Sequence, residues 1–271
     1  MRLPSTSSRV DELGKLLSRQ SGLSLDERLD GETYAVDFIV PDGVEALPWE
    51  ILPYEEGHPV GLSVPCQRRR LCRDQKRNKD YPKTLRVLGV FTEETSPDLP
   101  GLERERNSLQ ALQDPNTDIV YKEWQAGKGL DCLRERIELS DVVHFGGHAN
   151  EKGEFQLHGG NGKWISLQEL FTGLEAAPRF VWLNVCGQDS NLFTYPLNGG
   201  CPNALCSNTE IADRIAEKGV RSFYENLAAG MPIRDAVLDL RKLLWENNDQ
   251  SWISCIAYGP GLLELAHKPD E

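Results

Sequence analysis

No apolar run in the 271 residues approaches the roughly 18–20 needed to cross a bilayer, which excludes a membrane-spanning helix. The opening stretch Met1-Arg2-Leu3-Pro4-Ser5-Thr6 lacks the apolar core of a secretory signal. Positive charge is in deficit: 30 Lys and Arg against 42 Asp and Glu leave a net charge of −12. A general nucleic-acid binder needs a basic face to release counterions, so that class is excluded, although a local basic patch is not. Cysteine is present but odd in number, at seven, which does not fit a disulfide framework in a chain of this size. A reducing, cytoplasmic setting follows, with most thiols acting as small buried hydrophobes. There is no internal repeat and no clear linker.

What is present is a globular balance, 39% hydrophobic and 27% charged. A short amphipathic helix is expected over 10–17 and a strand over 34–40, closed by the turn Pro41-Asp42-Gly43. Pro48 and Pro53 make 46–53 an irregular apolar stretch, with Trp49 as its packing anchor. The basic run 67–83 reads as an exposed loop. From residue 84 onward strands and helices alternate: strands over 85–91, 118–124, 141–145 and 180–186, and helices over 102–112, 130–139 and 167–175. That alternation indicates βαβ units and a mostly parallel sheet. Gly159-Gly160-Asn161-Gly162 is a hairpin turn, and Ser166 with Glu169 is a capping box. Residues 187–206, rich in Gly, Asn, Ser and Pro, read as a long loop. A second capping box, Ser207 with Glu210, opens a helix that Gly219 should stop; further helices cover 223–230 and 232–245, and a last strand 252–259. The fold class is α/β.

Two strands end in reactive side chains. One closes on Val143-His144-Phe145-Gly146-Gly147-His148, the other on Leu183-Asn184-Val185-Cys186-Gly187. Sites in open parallel sheets form at the carboxyl ends of the strands. If the two strands are neighbours, His148 and Cys186 face one crevice. A thiol needs a nearby base or cation to become a nucleophilic thiolate, and imidazole supplies either. The bland alternative is a core cysteine at a buried strand end and an unremarkable loop histidine. Other signals carry less. Gly162-Lys163 has Leu157 and Trp164 where a phosphate-binding loop needs Gly and Ser or Thr. Cys201 with Cys206 and Cys66 with Cys72 lack the second tight pair or histidine pair that zinc requires. The cluster Arg68, Arg69, Arg70, Arg73, Lys76 and Arg77 reads as a solvated loop face.

His144-Phe145-Gly146-Gly147-His148 and Leu183-Asn184-Val185-Cys186 resemble the two motifs of caspase-like cysteine peptidases. They are most similar to the CHAT family, related to caspases, metacaspases and separase. Leu47-Pro48-Trp49-Glu50-Ile51-Leu52, Leu99-Pro100-Gly101-Leu102-Glu103-x-Glu105, Phe223-Tyr224-x-x-Leu227-x-x-Gly230 with Ala236 and Arg241, and Tyr258-Gly259-Pro260 resemble further family segments in the same order. The resemblance implies a caspase-like, mostly parallel sheet flanked by helices. It also implies a division into an N-terminal helical extension (1–32), a CHAT-like domain (33–264) and a tail (265–271).

The implied activity is cysteine endopeptidase, with Cys186 as nucleophile and His148 as acid–base partner. Gly147, Ala149 and Gly187 are the candidate backbone donors to an oxyanion, and His144, Asn184 and Asp189 the candidate pocket residues. No metal or organic cofactor is implied. The implied partners are a protein or peptide substrate and a regulatory protein, with no membrane and no directly bound nucleic acid. The alternative is a catalytically silent interaction module of the same fold. Three departures bear on that choice. Ala149 stands where the family has glycine, and Asn184 stands where metacaspases carry an acid. Gly219-Val220 runs straight into Phe223-Tyr224, so the strand the family has after Gly219 is missing. Either 252–258 takes its place beside the Cys186 strand, or the chain is an internally shortened variant.

Overall fold

A computed structural model describes residues 6–21, 35–40, 47–54, 58–69, 84–92, 101–113, 118–124, 129–150, 152–157, 164–186, 192–207 and 213–259. In chain order the elements are α1 (Thr6–Ser21), β1 (Val36–Ile39), α2 (Val60–Ser63), β2 (Cys66–Arg69), β3 (Leu85–Phe91), α3 (Gly101–Ala111), β4 (Ile119–Glu123), α4 (Leu130–Glu138) and β5 (Val142–His148). There follow β6 (Glu154–Gln156), β7 (Trp164–Ser166), α5 (Leu167–Phe171), β8 (Phe180–Cys186), α6 (Thr194–Asn198), β9 (Asn203–Ser207), α7 (Asp213–Ala228), α8 (Ile233–Glu246) and β10 (Cys255–Tyr258). Eight strands form one sheet in the order β1-β2-β10-β9-β8-β5-β3-β4, and β6 and β7 form a separate hairpin. Every pairing in the large sheet is parallel except β9 with β10.

Both faces of the sheet are covered, as a parallel sheet requires. Alternation along β8 shows how the sequence does it: Phe180 and Trp182 enter one core, Val181, Leu183 and Val185 the other. The first core is closed by Leu109 of α3, by Val220, Phe223, Tyr224 and Leu227 of α7, and by Val237, Leu240 and Leu244 of α8. The second is closed by Leu133 and Ile137 of α4 and by Leu167, Leu170 and Phe171 of α5. The Ser166 hydroxyl accepts the Glu169 amide at 3.2 Å and opens α5 as the capping box predicts.

Three expectations change. Residues 187–206 are not all loop: α6 and β9 lie within them, and β9 pairs with β8 from Phe180↔Asn203 to Leu183↔Cys206. The neighbour of the Cys186 strand is therefore present but precedes α7 instead of following Gly219. Residues 255–258 sit one place further out, antiparallel to β9. Gly219 does not stop a helix either. It lies inside α7 where that helix packs on α8, and a Cβ there would come within 2.8 Å of Leu240 Cδ1, the movable end of a side chain. Lastly, 66–69 are a strand and not an exposed loop, with Gln67 and Arg68 buried.

Arg68 is tolerated inside because it is paired. Its Nε and Nη2 reach the two oxygens of Glu50 at 2.9 and 2.6 Å, and both side chains are fully buried. Arg241 from α8 completes the cluster, 3.8 Å from Glu50, donating to the Cys255 carbonyl at 2.9 and 2.7 Å and to the Cys66 carbonyl at 3.2 Å. Burial alone would raise the Glu50 pKa, but the charge and hydrogen bonds of Arg68, with the charge of Arg241, hold it below its ordinary 4.5. Three charges fully desolvated here are viable only as a bonded set. Trp49, the expected anchor, is half-buried against Phe38 (centroids 6.5 Å apart), while its neighbour Glu50 carries the connection.

Candidate active site

β5 and β8 are parallel neighbours, and their register runs from Val142↔Phe180 to His148↔Cys186. The Cα atoms of His148 and Cys186 are thus direct partners at the carboxyl ends of adjacent strands, one strand spacing of about 4.8 Å apart. His148 is half-buried at the last position of β5, and Cys186 is placed by its backbone at the last position of β8. Gly187 and Asp189 lie outside the described residues.

The glycine pair before His148 answers to the chain's own packing. Gly147 has φ +140°, a region that strains any side chain, and a Cβ there would meet Thr92 Cγ2 at 2.2 Å. A Cβ on Gly146 would meet the Phe91 ring at 2.6 Å. The strand end therefore nests against the end of β3, where the Thr92 amide donates to the Gly146 carbonyl at 3.0 Å. Ala149 is buried and bridges to Phe155, which ties the residue after His148 to the β6–β7 hairpin. Asn150 fixes the next turn, its Oδ1 accepting the Lys152 and Glu154 amides at 3.0 Å each.

Beneath the strand ends lies a polar chain that joins two of the expected pocket residues, His144 and Asn184, to Glu105 and Tyr224. His144 is fully buried, with Nε2 2.5 Å from Glu105 Oε1 and Nδ1 3.0 Å from the Tyr224 hydroxyl. Asn184 donates from Nδ2 to the same Glu105 oxygen at 2.7 Å. A carboxylate oxygen accepts, so the network sets both the amide flip and the tautomer. Asn184 turns its NH2 inward, and His144 directs Nε2–H to Glu105 while Nδ1 lies at hydrogen-bonding distance from the Tyr224 hydroxyl. Burial, reinforced by Glu105 and Tyr121, raises the Tyr224 pKa well above 10, so this phenol keeps its proton to donate. Trp182 meets the His144 ring edge-on at 4.9 Å. The network joins α3, β5, β8 and α7 two residues before Cys186. It engages both ring nitrogens of His144, which offers no polar atom to a cleft; Asn184 stays half-buried. Glu105 stands in the sequence as the last residue of the family-like segment 99–105, with no role attached to it.

Other thiols are distant in character. Cys66, Cys201, Cys206 and Cys255 are buried and Cys132 is half-buried, and none of the five is in a disulfide. Burial pushes Cys66 up to about 11, the nearby Arg241 only partly offsetting it, and Cys201 up to about 12. Cys201 donates to the Asn203 carbonyl at 3.0 Å. Among the described residues no three His, Cys, Asp or Glu side chains converge as a metal site, and no helix is long and apolar enough to cross a membrane.

A helix-flanked, mostly parallel sheet with histidine and cysteine at adjacent strand ends defines a caspase-like α/β domain. The chain belongs to the CHAT domain family, whose model matches residues 11–269. No curated protein matches it in sequence. Among solved structures it is similar to the Saccharomyces cerevisiae separase–securin complex at 3.0 Å resolution, with TM-score 0.56 and 14% identity over 84% of this chain and 15% of that one. It is also similar to the Arg-specific cysteine proteinase gingipain R, with TM-score 0.56 and 12% identity over 99% of this chain and 71% of that one. At such identities the likeness is one of fold, and the chain spans only about 15% of the separase chain.

Proposed function

We propose that the chain is a cysteine endopeptidase with a Cys186–His148 dyad. The observation that supports this is the direct pairing of the two residues at the carboxyl ends of β5 and β8. In this reading Cys186 as thiolate attacks a peptide carbonyl, and a thioester forms as the C–N bond breaks. His148 gives its proton to the leaving amine and then takes one from the water that hydrolyses the thioester. Backbone N–H groups among Gly147, Ala149 and Gly187 hold the oxyanion. Asn184, fixed by Glu105, and Asp189 border the pocket. A regulatory protein partner fits the same reading, since separase was crystallised with securin. Five of the described cysteines, Cys66, Cys132, Cys201, Cys206 and Cys255, are in no disulfide, which fits a cytoplasmic setting.

The test is the alkylation rate of each cysteine against pH, in the parent and in His148→Ala. A primed pair makes Cys186 react fast below pH 7 and slow in the variant. A Cys186 that titrates near the free-thiol value of about 8.5, unchanged by the variant, overturns the dyad and favours the silent interaction module. Peptidase activity is then read from new protein N-termini that appear with the parent and not with Cys186→Ala.

A further inference from the structure

At the far end of the sheet from His148 and Cys186 is a second feature that the peptidase reading does not use. A groove of about 240 Å³ opens where β3 and β4 begin and α4 ends. Leu88, Val120 and Leu139 form its apolar lining, and Arg86, Lys122 and Arg136 stand around it. Val120 and Leu139 are left 39% and 52% exposed, two of the few large hydrophobic side chains that the described chain turns to solvent.

The charge is unusual for this molecule. The protein carries −12, yet this groove gathers three cations. Arg86 is partly neutralised by Asp141, with Nε to Oδ2 at 2.9 Å and Nη2 to Oδ1 at 3.1 Å. Among the described residues the side chains of Lys122 and Arg136 have no ion-pair or hydrogen-bond partner. Fixed positive charge around an exposed apolar lining complements a ligand that is apolar at its centre and acidic at its flanks.

Two observations narrow the ligand further. The volume lies below the roughly 300–1,000 Å³ of small-molecule pockets, so it suits one anchoring side chain better than a whole metabolite. β4 is an edge strand, but strand addition there is blunted. The Trp124 amide donates to the Gly89 carbonyl of β3, so the even-numbered residues of this strand turn their backbone amides and carbonyls to β3 and the Tyr121 carbonyl points away from it. Gln113 Nε2 already donates to that outward carbonyl. With that carbonyl taken, a partner that engages side chains fits this edge better than one that extends the sheet.

We propose that this groove docks an acidic peptide segment of a protein partner, with one apolar side chain seated between Val120 and Leu139 and flanking carboxylates on Lys122 and Arg136. The site is separate from the dyad and stands whether or not Cys186 is nucleophilic.

The test is fluorescence anisotropy of labelled pentapeptides Asp-Glu-X-Asp-Glu with the full chain, X being Leu, Ile, Met or Phe, and Ser as control. At least one apolar member should bind saturably, and at least tenfold more tightly than the serine peptide. Lys122→Glu/Arg136→Glu and, separately, Leu139→Asp should each weaken it at least tenfold, while melting temperature and the Cys186 alkylation rate stay at the parent values. His148→Ala should leave binding unchanged. The proposal is overturned if no apolar member saturates, if the serine peptide binds equally, if the charge reversal has no effect, or if a single-stranded oligonucleotide displaces the peptide.

Discussion

Truncating Glu105 should loosen the ground under the strand ends by an amount that can be worked out. Its Oε1 accepts from His144 Nε2 at 2.5 Å and from Asn184 Nδ2 at 2.7 Å, and both carboxylate and imidazole are buried. Hydrogen bonds to a charged group contribute about 1.5–3 kcal/mol each. The two share one oxygen, so the lower half of their sum, about 3–4 kcal/mol, is the expected loss in Glu105→Ala. Glu105→Gln keeps an acceptor oxygen in place but removes its charge, and neutral bonds are about half as strong, so its loss should be about 1–2 kcal/mol. In urea, at a slope of about 3 kcal/mol per molar, the unfolding midpoint should fall by about 1 M for the alanine variant and about 0.5 M for the glutamine variant. An alanine shift below about 0.3 M, or a glutamine variant as damaged as the alanine one, would refute the reasoning. Coincident fluorescence and circular-dichroism transitions check that one cooperative event is being read.

Gly147→Ala should destabilise by about 2–5 kcal/mol, from strain at φ +140° together with overlap with Thr92, read as a drop in melting temperature. Adding Thr92→Ala should restore only part of it, because the Thr92 Cβ itself lies 2.7 Å from the new methyl. Glu50 has a depressed folded pKa, so its stabilisation is present above about pH 4.5 and is lost as pH falls through the lower folded value. Glu50→Gln should therefore flatten the acid limb of a stability–pH curve while lowering stability at pH 7. Cys66 and Cys201, titrating near 11 and 12, should resist iodoacetamide at pH 8 in the native protein and react on unfolding, whereas half-buried Cys132 reacts in both states.

What the sequence revealed, and what it hid, follows from how local each signal is. β3, β5 and β8 are rich in Val, Leu and Phe, so their burial is written in their own letters, and Ser166 with Glu169 marks a helix start within four residues. β2 reads Cys-Gln-Arg-Arg and looks solvated, because what permits Arg68 inside is a carboxylate 18 positions away. β9 hides in a run of Asn, Gly, Pro and Ser, where five residues carry too little pattern to outweigh turn propensity. Gly219 carries a real helix-stop signal that packing against Leu240 overrides. The same split runs through the site. His148 and Cys186 are legible as strand ends, but Glu105 gains its meaning only from partners 39 and 79 positions on.

The Glu50–Arg68–Arg241 cluster also sets a constraint on the order of assembly. Arg241 reaches Cys66 across 175 residues, and β2 finds its second neighbour only in β10. Contacts of such long range are slow to form and are closed late. During synthesis at about 5–20 residues per second, roughly 190 residues separate the emergence of β2 from that of β10, an interval on the order of 10–40 seconds. Over that interval β1 and β2 can pair with each other but have no sheet to join. The parallel block β3-β4-β5-β8 can be complete long before, so the strands that carry His148 and Cys186 are aligned first and β1, β2 and β10 are fastened last, by a buried ion cluster in place of a purely apolar seam.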